Sequence, residues 1–372
     1  MKELYKRTCY LHIGTTKTGT TAIQSTLDLN RGLLNKKNFF MISNEIRGGN
    51  SDYKLSISFR NFYKEPVVCE QLNNLGIYDL KEKNCFSENL KKLYNERIYE
   101  NPSHNLIITS EQFCFDIIED PGSLSRCLEF LNSLYFDVVV VVYLRNQFDW
   151  ILSDYIQNIK DGGLDNLRRY LLYNLVRKPN IYDLYKLISF LQSKSIRLIV
   201  RPYEKSLLYR KDLILDFFKN VLGFEESILD QVKMPLQSDS NVSRPDKGEI
   251  ERILEINRAY YAKHSRKISR NESKKLLKIK SAMPLNGSRY THSNDIQLRL
   301  PEKYKLAILS IYSRGNRKLR SKFPYLLNLE TSTHHPLLLF RSHLYLKIEY
   351  ILVVLKRELF CTFRKLSNHL RV

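Results

Sequence analysis

The chain has 372 residues, of which 43% are hydrophobic, 12% aromatic and 27% charged, which is the composition of a folded protein with one large or two modest domains. Lys and Arg outnumber Asp and Glu by 60 to 39, and the net charge of +21 favours polyanionic partners such as nucleotides, nucleic acids, acidic glycans or anionic lipids. The six cysteines form no C-x-x-C pair and stand near no histidine pair at zinc-ligand spacing, which argues against structural zinc.

The first residues predict a strand, a loop and a helix. Residues 1–14 contain no apolar run of signal-peptide length, and no window holds about 18 uncharged apolar residues, so we expect a cytoplasmic protein of bacterial type. Leu11–Gly14 predicts the end of a strand. Thr20–Leu34 predicts an amphipathic helix, because Ile23, Leu27 and Leu34 share one face.

A loop rich in glycine and threonine, HIGTTKTGTT, joins this strand to this helix over residues 12–21. A loop that leaves a buried strand and enters a helix directs successive backbone N–H groups at one point, where the helix dipole also favours negative charge. Gly14 and Gly19 permit backbone angles and a close phosphate approach that side chains would obstruct. The sequence therefore predicts an anion-binding loop.

This loop matches part of the P-loop pattern G-x-x-x-x-G-K-[ST]. Gly14 and Gly19 have its spacing, and Thr21 stands at its Ser/Thr position. Thr20, however, replaces the lysine, and Lys17 lies three residues earlier. The missing lysine removes a principal γ-phosphate contact, whereas Lys17 inside the loop can reach a group transferred from a shorter donor. This difference weakens the interpretation as a P-loop nucleotide or sugar kinase that uses ATP and Mg²⁺, which is kept as the alternative.

The next part of the chain alternates strand and helix patterns. Residues 41–66 hold Gly48, Gly49, a proline and several Asn and Ser, which is typical of an irregular connection beside a substrate cleft. Further strands are predicted at Leu106–Thr109, Asp137–Leu144 and Ile196–Val200. Helices are predicted at Ser123–Leu134, Phe148–Ile159, Leu164–Val176, Ile181–Gln192 and Leu213–Leu222. This alternation predicts an α/β fold with a P-loop-like, doubly wound parallel sheet flanked by helices.

A second motif follows the strand Asp137–Leu144, which contains five consecutive valines. A continuous apolar run predicts burial on both faces, in the middle of a parallel sheet. Arg145 then stands at the carboxyl end of a central strand, where α/β folds place their ligands. Ser153 lies eight residues later on the following helix, so a guanidinium and a hydroxyl form a predicted clamp for a second phosphate.

At these two motifs the chain resembles the PAPS-dependent sulfotransferases. HIGTTKTGTT is similar to the family's loop for the 5′-phosphosulfate, and LRNQFDWILSDYIQ resembles its 3′-phosphate motif, usually R-[DN]-P followed by S-x-Y. The likeness covers roughly residues 10–235 and is strongest toward bacterial carbohydrate sulfotransferases and the glycosaminoglycan branch. Asn241–Ser243 and Tyr312–Arg317 also resemble family segments near the donor. Gln147 replaces the usual proline, which we expect only to loosen the turn.

The resemblance implies both a donor and a reaction. PAPS would give its sulfuryl group to a hydroxyl of a carbohydrate acceptor by in-line transfer, leaving PAP, with no metal required. Lys17 and the loop amides would stabilise the charge that grows on the leaving oxygen. The residues expected to bind the donor are Thr15, Thr16, Lys17, Thr18, Gly19, Thr20, Thr21, Arg145 and Ser153.

The same resemblance implies a Glu or a His that takes the proton of the acceptor hydroxyl. We expect Glu111 in this role, because it directly follows the strand Leu106–Thr109 and a carboxylate at the carboxyl end of a strand can point into the cleft. The alternatives left open are Glu45, Asp52 and His104. His12 is expected to pack or hydrogen-bond beside the loop rather than to act as the base.

The C-terminal part of the chain is predicted to be helical and basic. Strand patterns stop near residue 235, and Lys247–Lys263 has apolar residues at helical spacing. We expect one domain over residues 1–330, with a donor-binding core at about 8–235 and a helical acceptor-side part at about 236–330. Residues 331–372 mix LLLF and YILVVL with cations, which predicts contact with an anionic membrane surface, packing against the body or a dimer contact.

Composition also guides the choice of acceptor. The 24 tyrosines and many arginines suit a glycan or glycolipid, because aromatic faces stack on sugars and cations tolerate acidic saccharides. We expect a cell-surface polysaccharide or glycolipid precursor. A nucleic-acid binder would explain the net charge but neither motif, so we expect no nucleic-acid partner.

Overall fold

The computed structural model describes residues 7–42, 51–61, 72–134, 136–235, 246–268, 272, 298–326, 329, 331 and 336–369, and the side chains of the last helix as far as residue 355. Its strands are β1 (Arg7–His12), β2 (Phe39–Phe40), β3 (Asn105–Thr109), β4 (Phe136–Leu144) and β5 (Arg197–Pro202). All of their pairings are parallel, in the order β2-β3-β1-β4-β5. The expected α/β fold with a doubly wound parallel sheet is therefore confirmed.

Helices follow most of the strands. The first half of the chain contains α1 (Thr20–Leu29), α2 (Arg31–Lys36), α3 (Tyr53–Phe59), α4 (Leu80–Glu100), α5 (Gln112–Glu119) and α6 (Pro121–Ser133). The second half contains α7 (Gln147–Lys160), α8 (Leu167–Leu172), α9 (Leu184–Ser193), α10 (Leu213–Asp216), α11 (Glu226–Leu229), α12 (Lys247–His264), α13 (Glu302–Lys322) and α14 (Pro336–His369). Short π-helical turns extend α8 and α10, at Tyr173–Arg177 and Phe217–Val221.

The described chain forms two compact units, each assembled from three segments. The first consists of Met1–Arg145, Leu184–Ser240 and Leu319–Asn328 and contains the whole sheet. The second consists of Asn146–Asp183, Asn241–Lys318 and Leu329–Val372 and is helical where it is described. The two units alternate along the chain, so their boundaries differ from the predicted boundaries near residues 235 and 330. The predicted division into a donor-binding core and an acceptor-side part stays a prediction.

The valine run of β4 explains the layering of the first unit. Val139, Val141 and Tyr143 pack with Ile23 and Phe217, so α1 and the chain after β5 cover one face of the sheet. Successive strand residues point to opposite faces, so the even-numbered valines are buried on the other side, where α6 packs against β4. Burial on both faces is what the uninterrupted apolar sequence of this strand predicts.

The order of the strands creates a switch point at the carboxyl edge of the sheet. From β1 the chain continues to β2 and β3 on one side, whereas from β4 it continues to β5 on the other side. β1 and β4 are neighbours, with His12 opposite Val141. Open α/β sheets bind ligands outside the carboxyl ends of the two strands at which the winding reverses. The segments that follow β1 and β4 are therefore where a ligand is expected.

The second unit is held together by buried polar groups as well as apolar contacts. Trp150 of α7 packs edge-on against Tyr182, at 5.1 Å between ring centroids. The hydroxyls of Tyr170 and Tyr182 both donate to one carboxylate oxygen of Asp154, at 3.0 and 2.8 Å. The amide of Asn257 on α12 donates to backbone carbonyls at the end of α7. These bonds fix α7 and α12 within this unit.

Candidate functional site

The loop after β1 is tied to the end of β4 by backbone hydrogen bonds. The N–H groups of Ile13 and Thr15 donate to the carbonyls of Val141 and Tyr143, at 3.0 and 3.1 Å. In return, the N–H of Tyr143 donates to the Gly14 carbonyl at 2.6 Å. The loop therefore leaves the sheet at the switch point, in a position fixed by the neighbouring strand.

The loop then turns sharply into α1. Gly14, Lys17 and Gly19 all have positive φ, at 101°, 62° and 74°. Gly19 is the residue that precedes the first turn of α1, and no side chain caps this helix. The first four N–H groups of an α-helix have no intrahelical acceptor, so the start of α1 presents donors to an anion. The predicted strand, loop and helix are thus present, and the binding of an anion at this helix start stays a prediction.

Threonine hydroxyls hold the loop in this shape. The Thr15 hydroxyl donates to the Tyr143 carbonyl at 3.2 Å, and the Thr18 hydroxyl donates to the Thr15 carbonyl at 2.6 Å. Thr15 and Thr18 are fully buried, Thr16 and Thr20 are nearly so, and Thr21 is exposed. Binding of a donor by Thr15, Thr16, Thr18, Thr20 and Thr21 stays a prediction.

Arg145 lies against this loop. Its Nη1 donates to the Lys17 carbonyl at 2.7 Å, and its guanidinium lies 5.4 Å from the centre of the Tyr203 ring. The Tyr203 ring also approaches Gly19, since a Cβ built on this glycine would lie 3.5 Å from the ring edge. Lys17 and Arg145, which come from two motifs, are therefore neighbours at the carboxyl edge of the sheet.

Sequence reasoning missed Tyr203, which directly follows β5. Its N–H donates to the Leu144 carbonyl at 2.8 Å, so the β4–β5 pairing continues to the edge of the site. Nearby, the buried carboxylate of Asp216 binds Arg201 and accepts from the Tyr143 hydroxyl at 2.8 Å. Burial and this carboxylate raise the pKa of Tyr143. The strand end RPYE was visible in the sequence, but only the β4–β5 pairing brings Tyr203 to Arg145.

Glu111 lies at the start of α5 beside the same loop. A Cβ built on Gly14 would lie 3.4 Å from the Cβ of Glu111, so the stem of this side chain is next to the loop. The N–H of Ser110 donates to the His12 carbonyl at 2.9 Å, which fastens the two chain segments together. Glu111 is half-buried and its carboxylate does not cap α5. The expected position beside the loop is therefore observed.

His12 is enclosed at the end of β1. Its ring is fully buried, its Nδ1 lies 2.9 Å from the Thr109 hydroxyl, and its ring packs edge-on against Phe217 at 5.5 Å. Burial lowers the pKa of His12 to about 3, so the ring is neutral at physiological pH. The structure thus agrees with a packing role for this residue.

Asp52 holds the end of β3 in place. Its carboxylate is buried and accepts from the Tyr94 hydroxyl at 2.8 Å and the Thr109 N–H at 2.9 Å. Burial raises the pKa of Asp52 to about 6, against the effect of these two bonds. Both carboxylate oxygens are therefore occupied by the fold, so a role as catalytic base is unsuited to this residue.

The remaining candidates for the catalytic base are His104 and Glu45. His104 precedes β3 and contacts the ring of Phe40, so it lies at the amino end of a strand whose carboxyl end leads to Glu111. A strand of this length separates the two ends by roughly 16 Å, and His104 is therefore not brought to the loop. Glu45 lies outside the described residues, as does the segment Asn241–Ser243.

Ser153 and Gln147 belong to the second unit, on α7. Ser153 is half-buried on this helix, and the clamp that it would form with Arg145 stays a prediction. Gln147 is buried and exchanges two hydrogen bonds with the amide of Asn316 on α13, at 2.9 and 3.0 Å. The expectation that Gln147 only loosens the turn stays a prediction, and the structure adds that this side chain links α7 to α13.

Within the described residues, the structure has no group of three or more His, Cys, Asp or Glu side chains arranged to hold a metal ion. None of the helices in this part of the chain is long and apolar enough to cross a lipid bilayer. The cysteines with free thiols here are Cys9, Cys85, Cys114 and Cys127.

Comparison with known proteins adds little to this geometry. No family model matches the chain, and no curated protein matches it. Among solved structures, a chain from the PezAT chromosomal toxin-antitoxin system of Streptococcus pneumoniae matches with 12% identity and a TM-score of 0.28. The match covers 70% of this chain and 87% of that chain. A TM-score this low carries no conclusion about the fold or the site.

Proposed function

We propose that this protein is a PAPS-dependent sulfotransferase that transfers a sulfuryl group to a hydroxyl of a carbohydrate. The observation that carries the proposal is the position of Arg145 and Glu111 against the loop that opens α1: the guanidinium donates to the Lys17 carbonyl, and the Cβ of Glu111 lies next to Gly14. A lysine and an arginine suit a donor with two anionic ends, and a carboxylate beside the loop suits an acceptor hydroxyl.

The residues around the loop fit such a donor. The uncapped start of α1 supplies backbone donors for the 5′-phosphosulfate, and Lys17 adds a positive charge there. A guanidinium can donate to several acceptors at once, so Arg145 can bind the 3′-phosphate while it binds the Lys17 carbonyl. Ser153 is the proposed second ligand of that phosphate.

The donor supplies an activated sulfuryl group, and the protein's residues position it and move one proton. The acceptor oxygen forms a bond to sulfur while the bond from sulfur to the 5′-phosphate oxygen breaks, and its electron pair stays on that oxygen. Lys17 and the amides at the start of α1 stabilise the charge that develops there. The proton of the acceptor hydroxyl passes to the carboxylate of Glu111.

Its partial exposure favours Glu111 over His12 and Asp52 as the proton acceptor. His12 has a pKa lowered to about 3 by burial, so it is a poor proton acceptor at neutral pH. Asp52 is fully buried, and its two oxygens bind Tyr94 and Thr109. Glu111 is half-buried, so an acceptor hydroxyl can approach it.

A transfer assay with ³⁵S-labelled PAPS tests this function. We expect label in lipid-linked or capsular oligosaccharides, with little in simple phenols. Preference for phenols would overturn the acceptor class, and absence of transfer to every acceptor would count against the reaction. The spacing of Gly14 and Gly19 with Thr21 also suits a kinase, so parallel reactions contain γ-³²P-labelled ATP with Mg²⁺ and the same oligosaccharides or nucleosides. Phosphoryl transfer without sulfuryl transfer would favour that alternative.

A further inference from the structure

The helix α14 exposes an apolar face along its described length. Sixteen large hydrophobic side chains are exposed in the described part of the protein, and eight of them lie between residues 338 and 355. Phe340, Leu352 and Ile351 are 63%, 60% and 53% exposed. Folded proteins rarely leave so many neighbouring apolar side chains in water without a partner for them.

These side chains form one continuous face. Leu344, Ile348, Ile351 and Leu355 are separated by four, three and four residues, which places them on the same side of a helix. Tyr345 and Leu352 lie beside them by the same spacing. From Leu344 to Leu355 this exposed face extends over about three helical turns.

The opposite face of α14 is already occupied within the second unit. Leu346 is fully buried, and the buried carboxylate of Glu349 binds Arg168 and accepts from the Tyr304 hydroxyl at 3.4 Å. Lys303 lies 3.9 Å from the same carboxylate. The helix is thus fixed to its own unit by one face, and the apolar face is directed away from these contacts.

The charges around the apolar face indicate the charge of the partner that would cover it. Arg341 lies four residues before Tyr345, Lys347 lies four residues before Ile351, and both are exposed. Glu349, the acidic residue of α14 between positions 338 and 355, is buried on the other face. The exposed side of this part of the helix is therefore apolar and cationic. A second copy of a chain with a net charge of +21 would be repelled, whereas an anionic surface would be attracted.

We propose that the exposed face of α14 binds the surface of an anionic lipid bilayer, with the helix lying in the plane of the interface. Its apolar side chains enter the boundary between headgroups and acyl chains, and Arg341 and Lys347 contact the lipid phosphates. Binding then depends on both buried apolar area and negative lipid charge. This inference does not depend on the proposed reaction.

Co-sedimentation of the full chain with lipid vesicles tests the proposal. We expect binding to phosphatidylcholine vesicles that contain about one third phosphatidylglycerol, weak binding to phosphatidylcholine alone, and loss of binding as salt is raised. Leu352→Glu should weaken binding by about tenfold or more, because it places a charge where an apolar side chain enters the bilayer. Lys347→Gln should weaken binding to the vesicles that contain phosphatidylglycerol and leave the weak binding to pure phosphatidylcholine vesicles unchanged.

The matched control is Leu80→Glu, which alters a leucine on α4 that is 54% exposed, close to the 60% of Leu352. It should bind vesicles like the unaltered chain. Circular dichroism checks that each variant is folded, and Ile351→Ser provides a milder change of the same face with an effect in the same direction. The proposal is overturned if the full chain ignores anionic vesicles or if Leu352→Glu binds them normally. It is also overturned if the chain is a dimer that Leu352→Glu dissociates in analytical ultracentrifugation.

Discussion

Three titratable side chains lie near the carboxyl ends of β1 and β3, and their surroundings differ. His12 is enclosed by aromatic rings, Asp52 binds two donors within the fold, and Glu111 borders the loop with part of its surface in solvent. A proton acceptor must be reachable by the hydroxyl that loses its proton. Of these three side chains, Glu111 is the one that is not fully buried, so it is the one that an acceptor hydroxyl can reach.

Glu111→Gln should abolish most sulfuryl transfer and leave the affinity for PAP nearly unchanged, since the amide keeps the shape of the side chain but cannot accept the proton. Single-turnover measurements with PAPS and calorimetric titration with PAP test the two halves of this prediction. Full activity in this variant would remove Glu111 from its role.

Lys17→Asn should lower the rate of transfer on the order of 10²-fold, because it removes a positive charge from the developing leaving group. Asn tolerates positive φ better than most residues, so the loop backbone with its φ of 62° is kept. The measurement is kcat at saturating donor, with Lys17→Arg as the variant that retains the charge. A rate unaffected by Lys17→Asn would contradict the assigned role.

Asp52→Asn should change how stability depends on pH. The pKa of Asp52 is raised from 3.8 to about 6 in the folded protein, so its contribution to stability is present below pH 4 and is lost as pH rises through 6. The neutral variant lacks this loss. Its free energy of unfolding, relative to the unaltered chain, should therefore rise on the order of 2 to 3 kcal/mol from pH 4 to pH 7. Urea unfolding across this range tests it, and a difference that is constant with pH would contradict it.

At the scale of residues, what could be predicted from sequence was local. Gly14, Lys17 and Gly19 follow one another within a single loop, so their spacing indicates their geometry. Tyr203 reaches Arg145 only because β5 pairs with β4, and the burial of Asp52 depends on Tyr94, which lies 42 residues away in the chain. No pattern within a short window contains such contacts.

At the scale of elements, the start of α1 depends on a glycine that no other residue can replace without strain. Gly19 has a φ of 74°, and a Cβ there would lie 2.3 Å from the Cδ2 of Leu213. Gly19→Ala should therefore lower the free energy of unfolding by about 1 to 2 kcal/mol and weaken PAP binding. Chemical denaturation and calorimetry measure the two effects.

The matched control for this variant is Gly32→Ala on α2, where a Cβ meets nothing within 4 Å. That change should stabilise the protein by about 0.4 to 1 kcal/mol. The double variant Gly19→Ala with Leu213→Ala removes the collision but keeps the unfavourable φ. Equal stability of Gly19→Ala and the unaltered chain would show that the loop does not need this backbone conformation.

Elements were predictable where one apolar pattern continued without interruption. The valines of β4 are such a case, and the strand extends over Phe136–Leu144. Thr20–Leu34 was expected as one helix, but the structure has two helices that meet at Asn30. The side-chain amide of Asn30 donates to the Lys233 carbonyl and accepts from the Lys233 N–H. β2 has only two residues, too few for a periodic pattern to indicate a strand.

At the scale of the whole molecule, the net charge bears on the class of partner, and the two interleaved units bear on where each partner would bind. The charge of +21 favours polyanionic partners, but it does not separate a nucleotide donor from an acidic glycan or a lipid surface. The first unit contains the sheet and the loop, and the second contains α14 with its exposed apolar face. The loop and Arg145 lie in the first unit and α14 lies in the second, so donor binding and surface binding are assigned to different residues and can be tested independently.

The most direct test of the central claim is calorimetric titration of the purified protein with PAP, with ATP plus Mg²⁺ in parallel. We expect micromolar binding of PAP and weak binding of ATP. Arg145→Ala should lower the affinity for PAP far more than the affinity for adenosine 5′-phosphate, which lacks the 3′-phosphate. The reason is that the Arg145 guanidinium is proposed to bind the 3′-phosphate. Equal weakening of both ligands would mean that Arg145 acts only through its bond to the Lys17 carbonyl. Tight binding of ATP with no binding of PAP would contradict the sulfotransferase assignment and favour the kinase.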